Sequence, residues 1–135
     1  MDKKNMPQDP LVDEWRARAS DDERSIDAII KEEGGAPNTA CFLSQQMAEK
    51  LLKAYLVFRQ GTHARVHALD ALWEQCRAHE ASFDDIKEAC AHLSAFYVTA
   101  RYPGDYPDFS WEDAREAQGE AMRVKNFVYA RLRKR

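Results

Sequence analysis

The chain reads as an all-α protein, an antiparallel up-and-down bundle of about five helices, four long and one short. Three observations carry that reading. Apolar residues recur at three- and four-residue steps along most of the 135 residues. Only five Gly and five Pro are present, too few for a many-turned β architecture. The breaks cut the chain into amphipathic segments with short connections, the pattern of a bundle. A hydrophobic content of 44% suffices for one core at this length, and 32% charged residues suits a helix-rich surface. We divide the chain into a flexible lead-in, residues 1–10, and a single helical domain, residues 11–135.

Pro7 and Pro10 are expected to delay the first helix, which then runs from about Val12 to Lys31. Its stripe is Val12, Trp15, Ala19, Ile26, Ile29 and Ile30. Asp22 interrupts that stripe where Ile or Leu belongs, and a carboxylate there needs a partner. Gly34-Gly35-Ala36-Pro37 stops the helix. The second helix, about Thr39 to Arg59, is apolar almost all round, so it lies at the centre of the bundle or at an oligomer interface. Its polar stripe is narrow: Gln46, Glu49, Lys50 and Lys53. Gln60-Gly61-Thr62 is a break, followed by a short helix from about Val66 to His79 with Leu69, Leu72, Trp73 and Cys76 inward. Ser82 with Asp85 three residues on resembles a capping box for the fourth helix, whose stripe is Ile86, Ala89, Cys90, Leu93, Phe96, Tyr97 and Ala100. Pro103 forbids its continuation. Ser110 caps the last helix, with Glu112 and Asp113 in the favourable first turn. Ala114, Ala117, Ala121, Val124, Val128 and Leu132 line one face, and the small residues permit close helix–helix approach.

No apolar run approaches the roughly 20 residues that cross a bilayer, and MDKKNMPQDP lacks the apolar stretch of a signal peptide. A cytoplasmic protein without membrane contact is the expectation. Cys41, Cys76 and Cys90 are widely spaced on apolar faces and read as buried small hydrophobes. The net charge of −3 hides an asymmetry. Six of the 20 Lys and Arg follow Glu120 with no acid among them, which leaves 14 against all 23 Asp and Glu before it, a net of −9. A basic last turn meets the carbonyl end of a helix dipole. An RNA- or phosphate-facing patch is the functional alternative.

Several runs together resemble the HEPN family, in the branch with an Arg-Tyr-Pro motif. They are Trp15, Ala19 and Asp22; Phe42, Gln45, Gln46, Ala48, Glu49, Lys50, Leu52, Lys53 and Ala54; Arg65, His67 and Leu69; Tyr97, Arg101, Tyr102 and Pro103; and Ser110, Glu112, Asp113 and Ala114. Glu23 stands where the family usually has Leu. The resemblance covers about Val12 to Leu132. It implies a bundle like the substrate-binding subunits of nucleotidyltransferases, commonly a homodimer, often beside a minimal nucleotidyltransferase in a toxin–antitoxin-like pair. Family members that cut RNA carry an Arg with a His four to six intervening residues later. No His follows Arg101 in that window, so half of a machinery that holds phosphate by guanidinium and moves protons by imidazole is missing. Arg59 and His63, with three residues between them, are a weak substitute.

The candidate site gathers Asp22, Glu49, Lys50, Lys53 and Arg101. These charges either satisfy one another as a structural network or leave Lys53 and Arg101 at a groove that receives a phosphate, Arg bidentately and Lys as a point charge. We place Lys53, Arg101, Tyr102, Lys50, Arg65 and His67 on the ligand side, and Asp22, Gln46 and Glu49 in the supporting polar network. His67 is an interhelix hydrogen bond or cap on one reading, and an acid–base group or ligand contact near Arg65 on the other. His63 and His67 have the spacing of two metal ligands, but no third is visible, so no metal and no cofactor is expected. Tyr102, Tyr106, Phe109 and Trp111 either stack on bases or pin the linker to the bundle. The expected function is a non-catalytic module binding nucleotide, RNA or a nucleotidyltransferase. The rival is a metal-independent RNase toxin using Arg65 with His67 across a dimer, and a third option is a dimeric scaffold.

Overall fold

The structure is a computed structural model that describes residues 9–63, 65–96 and 108–133. Its described residues form helices and no strand: α1 (Pro10–Glu32), α2 (Pro37–Gln60), α3 (Leu69–His79), a 3-10 helix (Ala81–Ile86), α4 (Lys87–Ser94) and α5 (Trp111–Arg131).

Pro10, expected to delay the first helix, starts it, and Pro37, expected in the turn that stops the first helix, starts the second. Pro10 and Pro37 occupy first-turn positions, where the missing N–H has no intrahelical partner to lose and the fixed φ already suits a helix. Asp9 caps α1 by accepting from Leu11 N at 2.9 Å. The helix ends in a Schellman pattern: Gly34 N donates to Ile29 O and Glu33 N to Ile30 O, with Glu33 left-handed at φ 48°. Gly61, at φ 84°, ends α2 by donating to Val57 O at 2.8 Å, a conformation that costs a side-chain-bearing residue about 1 kcal/mol or more.

Centrality, with no second chain required, explains the all-round apolarity of α2. It is covered most extensively by α1 and α5 and further by α3 and α4. Leu51, Leu52, Tyr55 and Leu56 are fully enclosed, each aliphatic one contributing about 1.5–3 kcal/mol of transfer free energy. Ala114, Ala117 and Ala121 are fully buried along α5, which packs on α2, and Val124 and Val128 fill the second half.

The middle of the chain departs from expectation. The third helix starts at Leu69 rather than Val66, which leaves Arg65, Val66 and His67 in the connecting segment. Ser82 caps nothing. Residues Ala81–Ile86 form a 3-10 helix, pinned by the Trp73 indole donating to Phe83 O at 2.8 Å, and α4 proper begins only at Lys87. Ser110 does cap α5, in a reciprocal box with Asp113 at 3.0 and 2.9 Å. Phe109, just before α5, is fixed to the bundle: its N–H donates to Asn38 Oδ1 at 2.8 Å and its ring meets Phe96 edge-on at 4.9 Å. Cys41, Cys76 and Cys90 are all buried and free.

Candidate functional site

The polar stripe of α2 faces α1 and the segment leading to α3, and its side chains are engaged one after another. Lys50 Nζ donates to Asp22 Oδ2 at 2.7 Å, so the carboxylate that interrupts the α1 stripe has its partner. One turn along, Lys53 Nζ donates to Glu49 Oε2 at 2.8 Å; the side chains are only 4% and 7% exposed. Burial of two charges is costly and is offset by their attraction and by further donors. Glu49 has those donors. Gln46 Nε2 lies 3.4 Å from Oε1, and His67 Nδ1 lies 3.0 Å from Oε2. The Lys53 ammonium also stands 5.2 Å from the centre of the Trp15 ring, and Trp15 meets the His63 ring edge-on at 5.2 Å.

Asp22, Gln46, Glu49, Lys50, Lys53 and His67 thus form one seam along the α1–α2 side of the bundle. Arg65 is exposed on the connecting segment two residues before His67. Arg101 and Tyr102 lie outside the described residues, as do Tyr97, Pro103 and Tyr106. Arg59 and His63 go separate ways. Arg59 NH1 donates to Tyr55 Oη at 2.7 Å at the far end of α2, while His63 sits on Trp15. Phe109 and Trp111 pack against the core, which accounts for two of the four linker aromatics. Among the described residues no group of three metal-type ligands occurs, and no helix is long and apolar enough to cross a membrane. Glu23, the residue out of keeping with the family pattern, accepts from Lys125 of α5 at 2.8 Å.

A second polar cluster was not read from the sequence. Glu80, at the end of α3, accepts from Tyr55 Oη at 2.9 Å on Oε1, and from Ser82 Oγ and Arg131 Nε at 2.8 Å each on Oε2. Burial pushes the Glu80 carboxyl up, but the hydrogen bonds from Ser82, Tyr55 and Arg131 outweigh it and hold it below its ordinary value. Burial, then the hydrogen bond to Glu80 and its charge, push the Tyr55 phenol up to about 12. The available signal was the Tyr55 hydroxyl itself, since a tyrosine on a buried face needs a partner. Arg131, read as a helix-dipole cation, also lies over the Phe127 ring at 3.4 Å.

Fold and seam define an all-α bundle protein with charged side chains set into its central helix. The family model for the HEPN domain matches residues 12–132, and the chain belongs to that family. It is similar to ST0689, an archaeal HEPN homologue of known crystal structure, at 31% identity over 94% of this chain and 99% of that one, with a TM-score of 0.72. It is also similar to TT1696 from Thermus thermophilus, at 26% identity over 88% and 96% of the two chains, with a TM-score of 0.78. No curated protein matches it significantly.

Proposed function

We propose that this chain is a HEPN-domain binding module that takes nucleotide or RNA by its phosphate, acts as a homodimer, and partners a minimal nucleotidyltransferase in a toxin–antitoxin-like pair. The observation carrying this reading is the seam, where polar groups from α1, α2 and the connecting segment converge although each is costly to bury. Lys53 and Lys50 are committed to carboxylates, so their part is to hold the seam's charge in place. Arg65, His67, Arg101 and Tyr102 are the groups assigned to the ligand. With α2 enclosed by its own chain, a second copy docks on the outer faces, α5 being the candidate.

The test is titration of ATP, GTP and a short RNA against wild type and Arg101→Ala, with light scattering for the dimer. Binding that Arg101→Ala weakens supports the groove. Equal, weak binding by both removes it. Production of the chain alone is expected to leave growth normal, whereas an arrest relieved by His67→Ala would make the protein an RNase instead.

A further inference from the structure

The charged side chains of α5 fall into two sets. Those turned toward neighbouring elements are bonded within the chain: Arg115 to Glu33, Glu120 to His92, Lys125 to Glu23 and Arg131 to Glu80. Glu112, Glu116 and Arg123 lie on the outer side, are exposed, and make no ion pair among the described residues. Gly119 stands at the middle of that side. At about 100° per residue it points away from Ala117, Ala121, Val124 and Val128, which are buried. A Cβ added to Gly119 would meet no atom within 4 Å, so nothing in this chain requires a glycine there. Glycine is a poor helix former, and at an exposed mid-helix position its use is to let another backbone come close.

The order of the outer residues is self-complementary. Acids precede Gly119 and a base follows it. Turning a second α5 end for end about Gly119 therefore brings Glu116 of each copy to Arg123 of the other. The two residues stand three before and four after the pivot, a mismatch of about 1.5 Å along the axis. They also share one side of the outer face, at about 60° and about 40° round from Gly119, and a two-fold axis keeps like sides together. Arg115 falls on the other side, so it does not meet Arg123. RNA would be repelled by Glu112 and Glu116, whereas a second copy supplies the reversed order of charges.

Resting on the homodimer reading above, we infer that the outer face of α5 is the contact with a second copy of this chain. The two helices cross antiparallel at Gly119, and a Glu116–Arg123 ion pair flanks the crossing on either side. Half-buried Met122, a turn from Gly119, adds apolar contact. A contact confined to one helix from each copy belongs to the class below about 1,200 Å², so the dimer is concentration-dependent. The test is light scattering over a concentration series. Arg123→Glu and Glu116→Arg each set like charges together and should weaken association on the order of tenfold or more. The double variant Glu116→Arg/Arg123→Glu restores the complementarity in reverse and should regain wild-type association. Gly119→Leu should raise Tm yet weaken the dimer. A separate variant, Glu116→Cys/Arg123→Cys, should cross-link between copies when glutathione disulfide is added, because the native cysteines are buried and the two new ones are too far apart within one helix to bridge. Ala130→Cys, equally exposed, should not cross-link. A dimer indifferent to the single charge reversals, no recovery in the double variant, or cross-linking through Ala130→Cys in place of the cysteine pair would each overturn this face alone. A monomer at every concentration would overturn the homodimer reading with it.

Discussion

The ammonium of Lys50 lies 2.7 Å from the Asp22 carboxylate, tying the centre of α2 to the middle of α1 where an apolar residue would have completed the stripe. Both side chains are mostly covered, so the pair is worth more than a surface salt bridge and less than a fully buried one. Lys50→Met is expected to destabilise the protein by about 1–3 kcal/mol in urea unfolding. The double variant Asp22→Leu/Lys50→Met should recover most of that loss. Additive effects in the cycle would mean the two groups do not act as a pair.

The Glu49–Lys53 pair should respond more severely. Glu49→Ala leaves an ammonium buried against Trp15 and is expected to cost about 3–5 kcal/mol. Glu49→Leu/Lys53→Met removes both charges and should be far milder. Thermal unfolding of the three proteins checks this, and a double variant as unstable as Glu49→Ala would contradict it.

Glu80 predicts an acid limb. Its folded-state carboxyl titrates below the ordinary value of 4.5, so its contribution is complete above that pH and is lost as pH falls through the lower folded value. Glu80→Gln should flatten the dependence of Tm on pH in that window while lowering Tm at neutral pH. An unchanged acid limb would exclude the cluster as its source.

Tyr55 predicts the alkaline counterpart. Its phenol titrates at about 12 in the fold against 10 when free, so folded stability is full below pH 10 and declines as pH rises between 10 and about 12. Phenolate absorbance should show a tyrosine step near pH 12, and Tyr55→Phe should abolish that step. At neutral pH the same substitution is expected to cost about 1–2 kcal/mol through the lost hydrogen bond to Glu80.

Burial raises the Cys41 thiol to about 11 and the Cys90 thiol to about 12. The reactive thiolate is therefore scarce in the native protein. Thiol reagents are expected to label these cysteines only as fast as the protein opens, with rates rising steeply across the urea transition. Rapid labelling of the native protein would contradict their enclosure.

The fold was legible because helical periodicity persists through all five helices and because an acid in an apolar stripe demands a partner, as Asp22 shows. Pro10 and Pro37 have the local signature of breakers, yet a proline equally fits a helix's first turn, where both stand, and only the packed structure decides between the two. Ser82 misled for a related reason. A hydroxyl that caps in isolation here bonds the Glu80 carboxylate instead, and that carboxylate is placed by tertiary packing. Glu49 and Lys53 could be paired from their i, i+4 spacing. That His67 closes on the same oxygen depends on the path of the connecting segment, which no local pattern encodes.

The edge-to-face meeting of Phe96 and Phe109 also bears on engineering. The two rings join the residues just after α4 to the entry of α5, with the Phe109 N–H donating to Asn38 beside them. An aromatic pair of this kind is worth about 0.5–1.5 kcal/mol beyond its buried area. The clasp is therefore a place where stability can be tuned without touching the polar seam.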